Sequence, residues 1–449
     1  MSGGSCAVRR RVAAWPWLLL AGLAVSAISG CADGYPDDLK YPLRTDLLSL
    51  EGRGENNDLT PPGIDSPGPK GWSALLDTYR SSAKGKKNIL DPHDLSGKLR
   101  SDLDTLLNEY FGTPAKPKVK TVGDDDAEKA EALKLDADTL AAGSKLYRRQ
   151  CLHCHGVSGD GRGPTGYWIN PHPRDYRSGI FKFMSSKAGG IMTRRPRRAD
   201  LVRVMRQGID GSAMPAFELL SQDELEQLAS YVIHLSMRGE MEFAVLQAAL
   251  TATPSPKSGA DFTSSDRTLD EEASSLSEYF KLKQPFILKI WAQSQKDPMS
   301  PKPDYEKYLK SRRENAAMTE DKVHAQNVRK GFTYFQTVGC LACHLDYGRK
   351  RNYKWEVWGT VTRAADLTLG IYRGGRRPID IYYRIRGGID SCGMPAVEDT
   401  ILSTEEQNSP NRLELIDERI WDLVEFVIAL PYPAMLDNAG IKDKIYPGD

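Results

Sequence analysis

Cys151-Leu152-His153-Cys154-His155 and Cys340-Leu341-Ala342-Cys343-His344 are two copies of one pentapeptide, Cys-x-x-Cys-His. That spacing is the attachment signature of c-type haem: two thiols add to the vinyl groups as thioethers, and the next residue's imidazole reaches the iron. The order follows from geometry, because the pentapeptide must lie along one haem edge before the imidazole can point inward. Each copy sits inside a longer repeat. Gly143 and Tyr147 precede the first motif, as Gly331 and Phe335 precede the second. Downstream, Asp175-x-x-x-Gly179 matches Asp366-x-x-x-Gly370. Asp200 leads to Gly208-Ile209-Asp210 as Asp380 leads to Gly388-Ile389-Asp390, and both runs continue into Met-Pro-Ala at Met214 and Met394. Matched order and spacing imply two domains of one fold.

The repeat also supplies candidate distal ligands. A methionine is usually an adaptable core filler. Met214 and Met394, however, each follow Gly-Ile-Asp-x-x-x and precede Pro-Ala, in a segment too turn-rich for helix. A thioether on iron favours Fe(II) and fills the sixth position, so His155/Met214 and His344/Met394 ligation implies electron transfer rather than binding of oxygen or peroxide. Zinc held by the same four cysteines would need thiols 189 residues apart to converge, and would leave the histidines and the repeated Met-Pro-Ala without a role.

Each copy closes on an amphipathic run. Ser221-x-x-Glu224 is a capping box in front of the stripe Leu225, Leu228, Val232, Leu235. The second run carries Ile416, Ile420, Leu423, Val427 and Leu430 and is stopped by Pro431. Another stripe, Leu95, Leu99, Leu103, Leu106 and Tyr110, precedes the first repeat. The expected fold class is therefore all-α.

The chain of 449 residues is 40% hydrophobic and 27% charged, ordinary for a globular protein with more than one core. Its N-terminus reads as an export signal, with basic Arg9 to Arg11 ahead of an apolar Trp15 to Ile28 too short to span a bilayer. Ile28-Ser29-Gly30-Cys31 resembles a bacterial lipoprotein lipobox, which implies cleavage before Cys31 and a lipid anchor on that residue. The other reading is a plain secretory leader, with Cys31 incidental. Removing Arg9, Arg10 and Arg11 from 61 basic residues leaves 58 against 60 acidic ones, a charge of −2, which gives no support to nucleic-acid binding. Of seven cysteines, Cys6 leaves with the leader, Cys31 takes lipid and four hold haem. Only Cys392 remains, so rigidity must come from the haems rather than from disulfides.

Both repeats resemble the small class I cytochrome c domain, and the whole chain resembles a lipid-anchored dihaem cytochrome c. The resemblance covers residues 138–237 and 327–432. It implies a glycine and an aromatic on the first helix packing against the last: Gly143 and Tyr147 on Leu228 and Tyr231, Gly331 and Phe335 on Leu423 and Phe426. It also implies that the neighbourhood of the Gly-rich turn ending Gly163-Pro164 accepts the His155 N–H. The second copy has Gly348 but no Gly-Pro, and Arg349, Lys350 and Arg351 stand in the turn, so the acceptor for His344 is open.

Other candidates carry less. His153, between the haem cysteines, should point outward. His234 falls where the second copy has Ala429, which suits a core or surface role better than ligation. His93, His172 and His324 have no counterpart in the other copy, though His172 lies in the stiff loop Asn170-Pro171-His172-Pro173. Cys392, two residues before Met394, is either a small buried thiol or a redox-sensitive one able to displace Met394. Arg194, Arg195, Arg197, Arg198 and Arg373, Arg376, Arg377 are solvated surface, propionate partners or docking patches.

The expected organisation is a signal peptide with lipobox over 1–30, an N-terminal extension and linker over 31–137, cytochrome c domains at 138–237 and 327–432, a long partly ordered linker at 238–326 and a tail at 433–449. The expected function is one-electron transfer by two covalent haem c groups, outside the cytoplasm on the periplasmic side, tethered by lipid at Cys31. The resemblance implies partners such as a quinol-oxidising complex and a terminal oxidase. The rivals are a peroxidase-like dihaem enzyme, which needs an open iron position, and a structural haem subunit of a larger respiratory complex.

Overall fold

The structure is a computed structural model. It describes residues 34–46, 48–49, 89–187, 194–251, 275–350, 352–355, 361–389, 392–398 and 400–448. Cys31 and the leader lie outside the described residues. The fold is all-α; β-structure among the described residues amounts to two short ladders and three isolated bridges. Leu48–Ser49 (β1) pairs with Ile89–Leu90 (β2), and Tyr353–Trp355 (β3) pairs antiparallel with Val361–Arg363 (β4), Tyr353 opposite Arg363.

The first core is built on the crossing of Ala137–Gln150 (α3) and Gln222–Thr251 (α6). Asp136 caps α3 by accepting from the Thr139 N–H at 2.9 Å. The Ser221–Glu224 capping box forms as the sequence expects, with Glu224 accepting from the Ser221 N–H at 2.8 Å and Ser221 Oγ from the Glu224 N–H at 3.2 Å. Such caps contribute about 1 kcal/mol. A Cβ on Gly143 would collide with the Gln227 carbonyl and come within 3.0 Å of Tyr231 Cβ, so glycine is what lets the two helices touch. Tyr147 then meets Tyr231 in a tilted ring contact, centroids 5.2 Å apart, worth about 0.5–1.5 kcal/mol beyond area burial.

The second repeat repeats this crossing. In Glu320–Thr337 (α9) and Arg412–Ala429 (α11), a Cβ on Gly331 would strike the Asp422 carbonyl. Phe335 meets Phe426 edge-on at 5.3 Å.

Two features depart from the sequence expectations. Helix α6 does not end at 237; it continues to Thr251, buried along nearly its whole length. The stripe Leu225, Leu228, Val232 and Leu235 is only one of its buried faces, because Gly97–Phe111 (α1) and Leu276–Lys296 (α7) cover others, while Asp124–Ala132 (α2) packs on α7. The stretch between the repeats is thus divided. Helix α7 completes the first core, and Tyr305–Ala316 (α8) lies on α9 and α11 in the second. On α1, Leu107 and Phe111 are fully buried alongside Leu103 and Tyr110, whereas Leu99 and Leu106 pack at the margin.

Leu152–His155 (α4) is part of the first Cys-x-x-Cys-His motif; between the motifs and the closing helices lie Arg198–Gln207 (α5) in the first repeat and Pro378–Gly387 (α10) in the second. Pro433–Asn438 (α12) and Lys442–Ile445 (α13) finish the chain. No described helix is long and apolar enough to cross a membrane.

Candidate functional site

Cys151 ends α3 and the one-turn helix α4 carries Cys154 and His155. That turn places Cys151 against the first core, while Cys154 lies beside Thr165 Oγ1 at 3.3 Å. His155 is 9% exposed. Burial pushes its pKa down to about 4, so the imidazole is neutral and its lone pair is available to a metal. Its Nδ1–H donates to the Arg174 carbonyl at 3.0 Å, which leaves the Nε2 lone pair for a metal, and the ring stacks on Tyr176 at 4.6 Å. Tyr147 donates to the Gly156 carbonyl at 3.0 Å, tying the residue after His155 back to the helix crossing.

The second motif forms a short 3-10 turn over Cys340–Ala342 rather than a helix. His344 is more exposed than His155, and burial lowers its pKa too. Its Nδ1 donates to the Ala365 carbonyl at 3.1 Å. Both acceptors are therefore backbone carbonyls one residue before the repeated aspartates Asp175 and Asp366. The acceptor for His155 thus lies beside the turn ending Gly163-Pro164, where Gly161 adjoins Arg174, and Ala365 is the acceptor left open in the second copy. Tuning of an iron through the far nitrogen of its histidine is a general device. The glycine turns help indirectly: a Cβ on Gly161 would come within 2.5 Å of the Pro173 carbonyl, and one on Gly348 would collide with the Ala365 carbonyl itself.

The methionine loops are superimposable in their hydrogen bonds. Ile209 N donates to the Met214 carbonyl at 3.1 Å and Phe217 N to Met205 at 3.0 Å; Ile389 N donates to Met394 at 2.9 Å and Val397 N to Ile385 at 3.1 Å. The repeated glycine at the head of each loop has a physical reason. Gly208 and Gly388 have φ of +68° and +66°, and a Cβ on either would come within 2.7 Å of the alanine N–H in Met-Pro-Ala. Met214 packs on the core that holds Cys151, and Met394 on the core that holds Cys340.

These features fit a covalent haem in each repeat. A neutral imidazole oriented by a carbonyl, two thiols on the preceding turn and a methionine on the same apolar core are the donor set of a His/Met haem. They do not fit zinc. Cys151 and Cys340 pack on separate cores, so the four thiols do not converge, and no cluster of three metal-ligating side chains occurs among the described residues.

The remaining candidates have structural duties. His234 is fully buried and donates from Nε2 to the Phe111 carbonyl at 2.8 Å, fastening α1 to α6. His153 faces solvent, and His93 pairs with Asp91 at 2.8 Å. His172 donates to the Pro173 carbonyl at 3.1 Å. His324 holds Glu425 at 2.5 Å, which raises its pKa. Cys392 occupies the place of Ser212 and makes the same turn bond: Sγ donates to the Ile389 carbonyl at 3.4 Å, as Ser212 Oγ does to Ile209 at 2.7 Å.

The first arginine cluster is not a docking patch. Arg194 is buried and donates to the carbonyls of Gly387 and Met184; Arg195 forks onto Glu240, and Arg198 onto Glu226. Arg376 and Arg377 stay exposed, Arg377 pairing with Asp380 at 2.9 Å.

Comparison with known proteins agrees with this geometry over the first repeat. Residues 138–232 match the family described as cytochrome C oxidase, cbb3-type, subunit III. No curated protein matches the chain. Among solved structures, the Kuenenia stuttgartiensis reducing HAO-like protein complex is similar at 18% identity and a TM-score of 0.38, over 64% of this chain and 95% of that one. Residues 138–232 are thus similar to a cytochrome c domain, a likeness that supports covalently bound haem c and a haem electron-transfer role.

Proposed function

We propose that the chain is a dihaem c-type cytochrome that carries single electrons between membrane-associated respiratory partners, exported and tethered through lipid on Cys31. The observation that carries the dihaem reading is the duplication of hydrogen bonds rather than of letters. The second repeat lies outside the family match, yet it has the same imidazole-to-carbonyl bond and the same methionine-loop backbone bonds as the first. Haem iron supplies the one-electron Fe(III)/Fe(II) couple. The protein's part is to hold Cys151, Cys154, His155 and Met214, and Cys340, Cys343, His344 and Met394, in fixed places so that little rearranges on electron transfer. Burial lowers the pKa of both imidazoles, to about 4 for His155, and each methionine loop is closed on its glycine. A methionine in both copies favours transfer over peroxidase-like catalysis, which needs a free iron position. A quinol-oxidising complex and a terminal oxidase are the partner classes that suit such a carrier. The test is intact mass of the natively matured chain with a redox titration followed by visible and EPR spectra. Two covalent haems and two His/Met signals are expected; one haem, or rapid stoichiometric cyanide binding at rest, overturns the proposal.

A further inference from the structure

We infer that the strap Tyr41–Asp46, which lies outside both repeats, sets the reduction potential of the first haem by completing a charge-balanced box of two arginines and two aspartates behind the carbonyl that orients His155. The inference rests on haem attachment at Cys151 and Cys154 and deepens that reading.

The box begins one residue after the acceptor carbonyl of Arg174. The Asp175 carboxylate accepts from the Arg177 N–H at 2.9 Å, from its Nε at 3.0 Å and from its Nη2 at 2.7 Å. The strap adds the other half. Arg44 Nη2 lies 3.4 Å from both Asp46 and Asp175, and Arg177 Nη2 lies 3.0 Å from Asp46. All four side chains are 12% exposed or less. Burial alone would raise the Asp46 carboxyl, but Arg44, Arg177 and Arg162 override it and hold it well below the usual carboxylate range. The strap itself is firmly seated: Arg44 N donates to Glu242 at 2.6 Å, and the Tyr41 and Tyr231 hydroxyls meet at 2.9 Å.

The second repeat has the same turn without the ions. Asp366 accepts from the Thr368 N–H at 3.0 Å and from its hydroxyl at 2.6 Å, in the same i to i+2 pattern as Asp175 with Arg177. A threonine thus suffices to make the turn, and burying four charges is poor value for stability. Their position explains them better. An oxidised haem carries one more positive charge than a reduced one, and charges in a low-dielectric interior act over distance. Two arginines matched by two aspartates fix the carbonyl while adding little net charge beside it. Removing one positive charge should then favour the oxidised haem, and removing one negative charge the reduced haem. A merely mechanical clamp would shift both variants the same way.

Haem-resolved potentiometry on the full holoprotein tests this, with the couples assigned in a Cys340→Ala/Cys343→Ala chain that carries only the first haem. Arg44→Gln should lower, and Asp46→Asn raise, the Fe(II)/Fe(III) ratio of the first haem by about threefold at fixed potential, ~28 mV at 59 mV per decade, with the second haem unmoved. The double variant Arg44→Gln/Asp46→Asn, which leaves the box neutral, should return close to wild type and remains informative where a single variant does not mature. Shifts of the same sign, no shift, or a double variant displaced as far as a single one overturn the inference. Loss of a covalent haem from unmutated protein would instead sink the reading on which it rests.

Discussion

Arg203 of the first repeat donates to Asp380 of the second at 3.1 Å, and the other arm of the same guanidinium lies 3.3 Å from Asp200. Asp200 and Asp380 are equivalent positions, each one turn into the helix that leads to its methionine loop. One arginine therefore joins the two loop-bearing helices through their common aspartate. The seam continues with Arg194, which donates to the Gly387 carbonyl just before the Met394 loop.

Arg203→Ala should therefore loosen the seam. Asp380 is about as buried as a side chain can be and would keep only Arg377, so the expected cost is about 1–3 kcal/mol. A double-mutant cycle with Asp380→Asn, read by denaturant unfolding, should give a coupling energy of about 1 kcal/mol or more. Additive single effects would show that the contact contributes nothing.

Met214→Ala and Met394→Ala should each remove about half of the charge-transfer absorbance that His/Met ligation gives the oxidised protein, one haem at a time, and should open that haem alone to cyanide. An unchanged band in either variant removes that methionine from the ligand set.

Gly348→Ala is a directed perturbation of the proposed second haem. Gly348 has φ +93° and no room for a Cβ beneath the Ala365 carbonyl, the acceptor for His344. Strain of about 1–3 kcal/mol should be relieved by displacing that carbonyl. The His344 hydrogen bond weakens, the imidazole becomes a poorer donor, and the potential of the second haem rises while the first is unmoved. Equal movement of both potentials, or of neither, argues against Ala365 as the tuning group.

Why the sequence showed some of this and not the rest is a matter of which atoms do the work. Functions carried by side chains leave letters: Gly143 against Tyr231, the repeated Met-Pro-Ala loops and the closing stripes could all be read. The imidazole acceptors are backbone carbonyls, and the residues that own them, Arg174 and Ala365, share no chemistry. Only their adjacency to the repeated aspartates could have revealed them. The arginines misled for the opposite reason. A run such as Arg194 to Arg198 looks like surface charge until Glu240 and Glu226, distant in sequence, are folded against it. Leu107 and Phe111 were missed on α1 because a single stripe assumes one buried face, and α1 is gripped by both α6 and α7.

The acids buried along α11 should make stability depend on pH with an unusual sign. Burial pushes the Asp422 carboxyl up to about 7, although Tyr308 and Arg312 pull against that shift. Below about pH 4 both folded and unfolded chains hold this proton. Between about pH 4 and 7 the folded chain keeps it and the unfolded chain releases it, so this group's contribution to stability falls as pH rises, by up to about 1.4 kcal/mol per unit. Above pH 7 both are ionised and the slope vanishes. Asp422→Asn cannot titrate, and its unfolding free energy measured against pH should lose that descending component relative to wild type. Parallel profiles for the two proteins between pH 4 and 7 would mean that Tyr308 and Arg312 already keep Asp422 ionised in the folded chain.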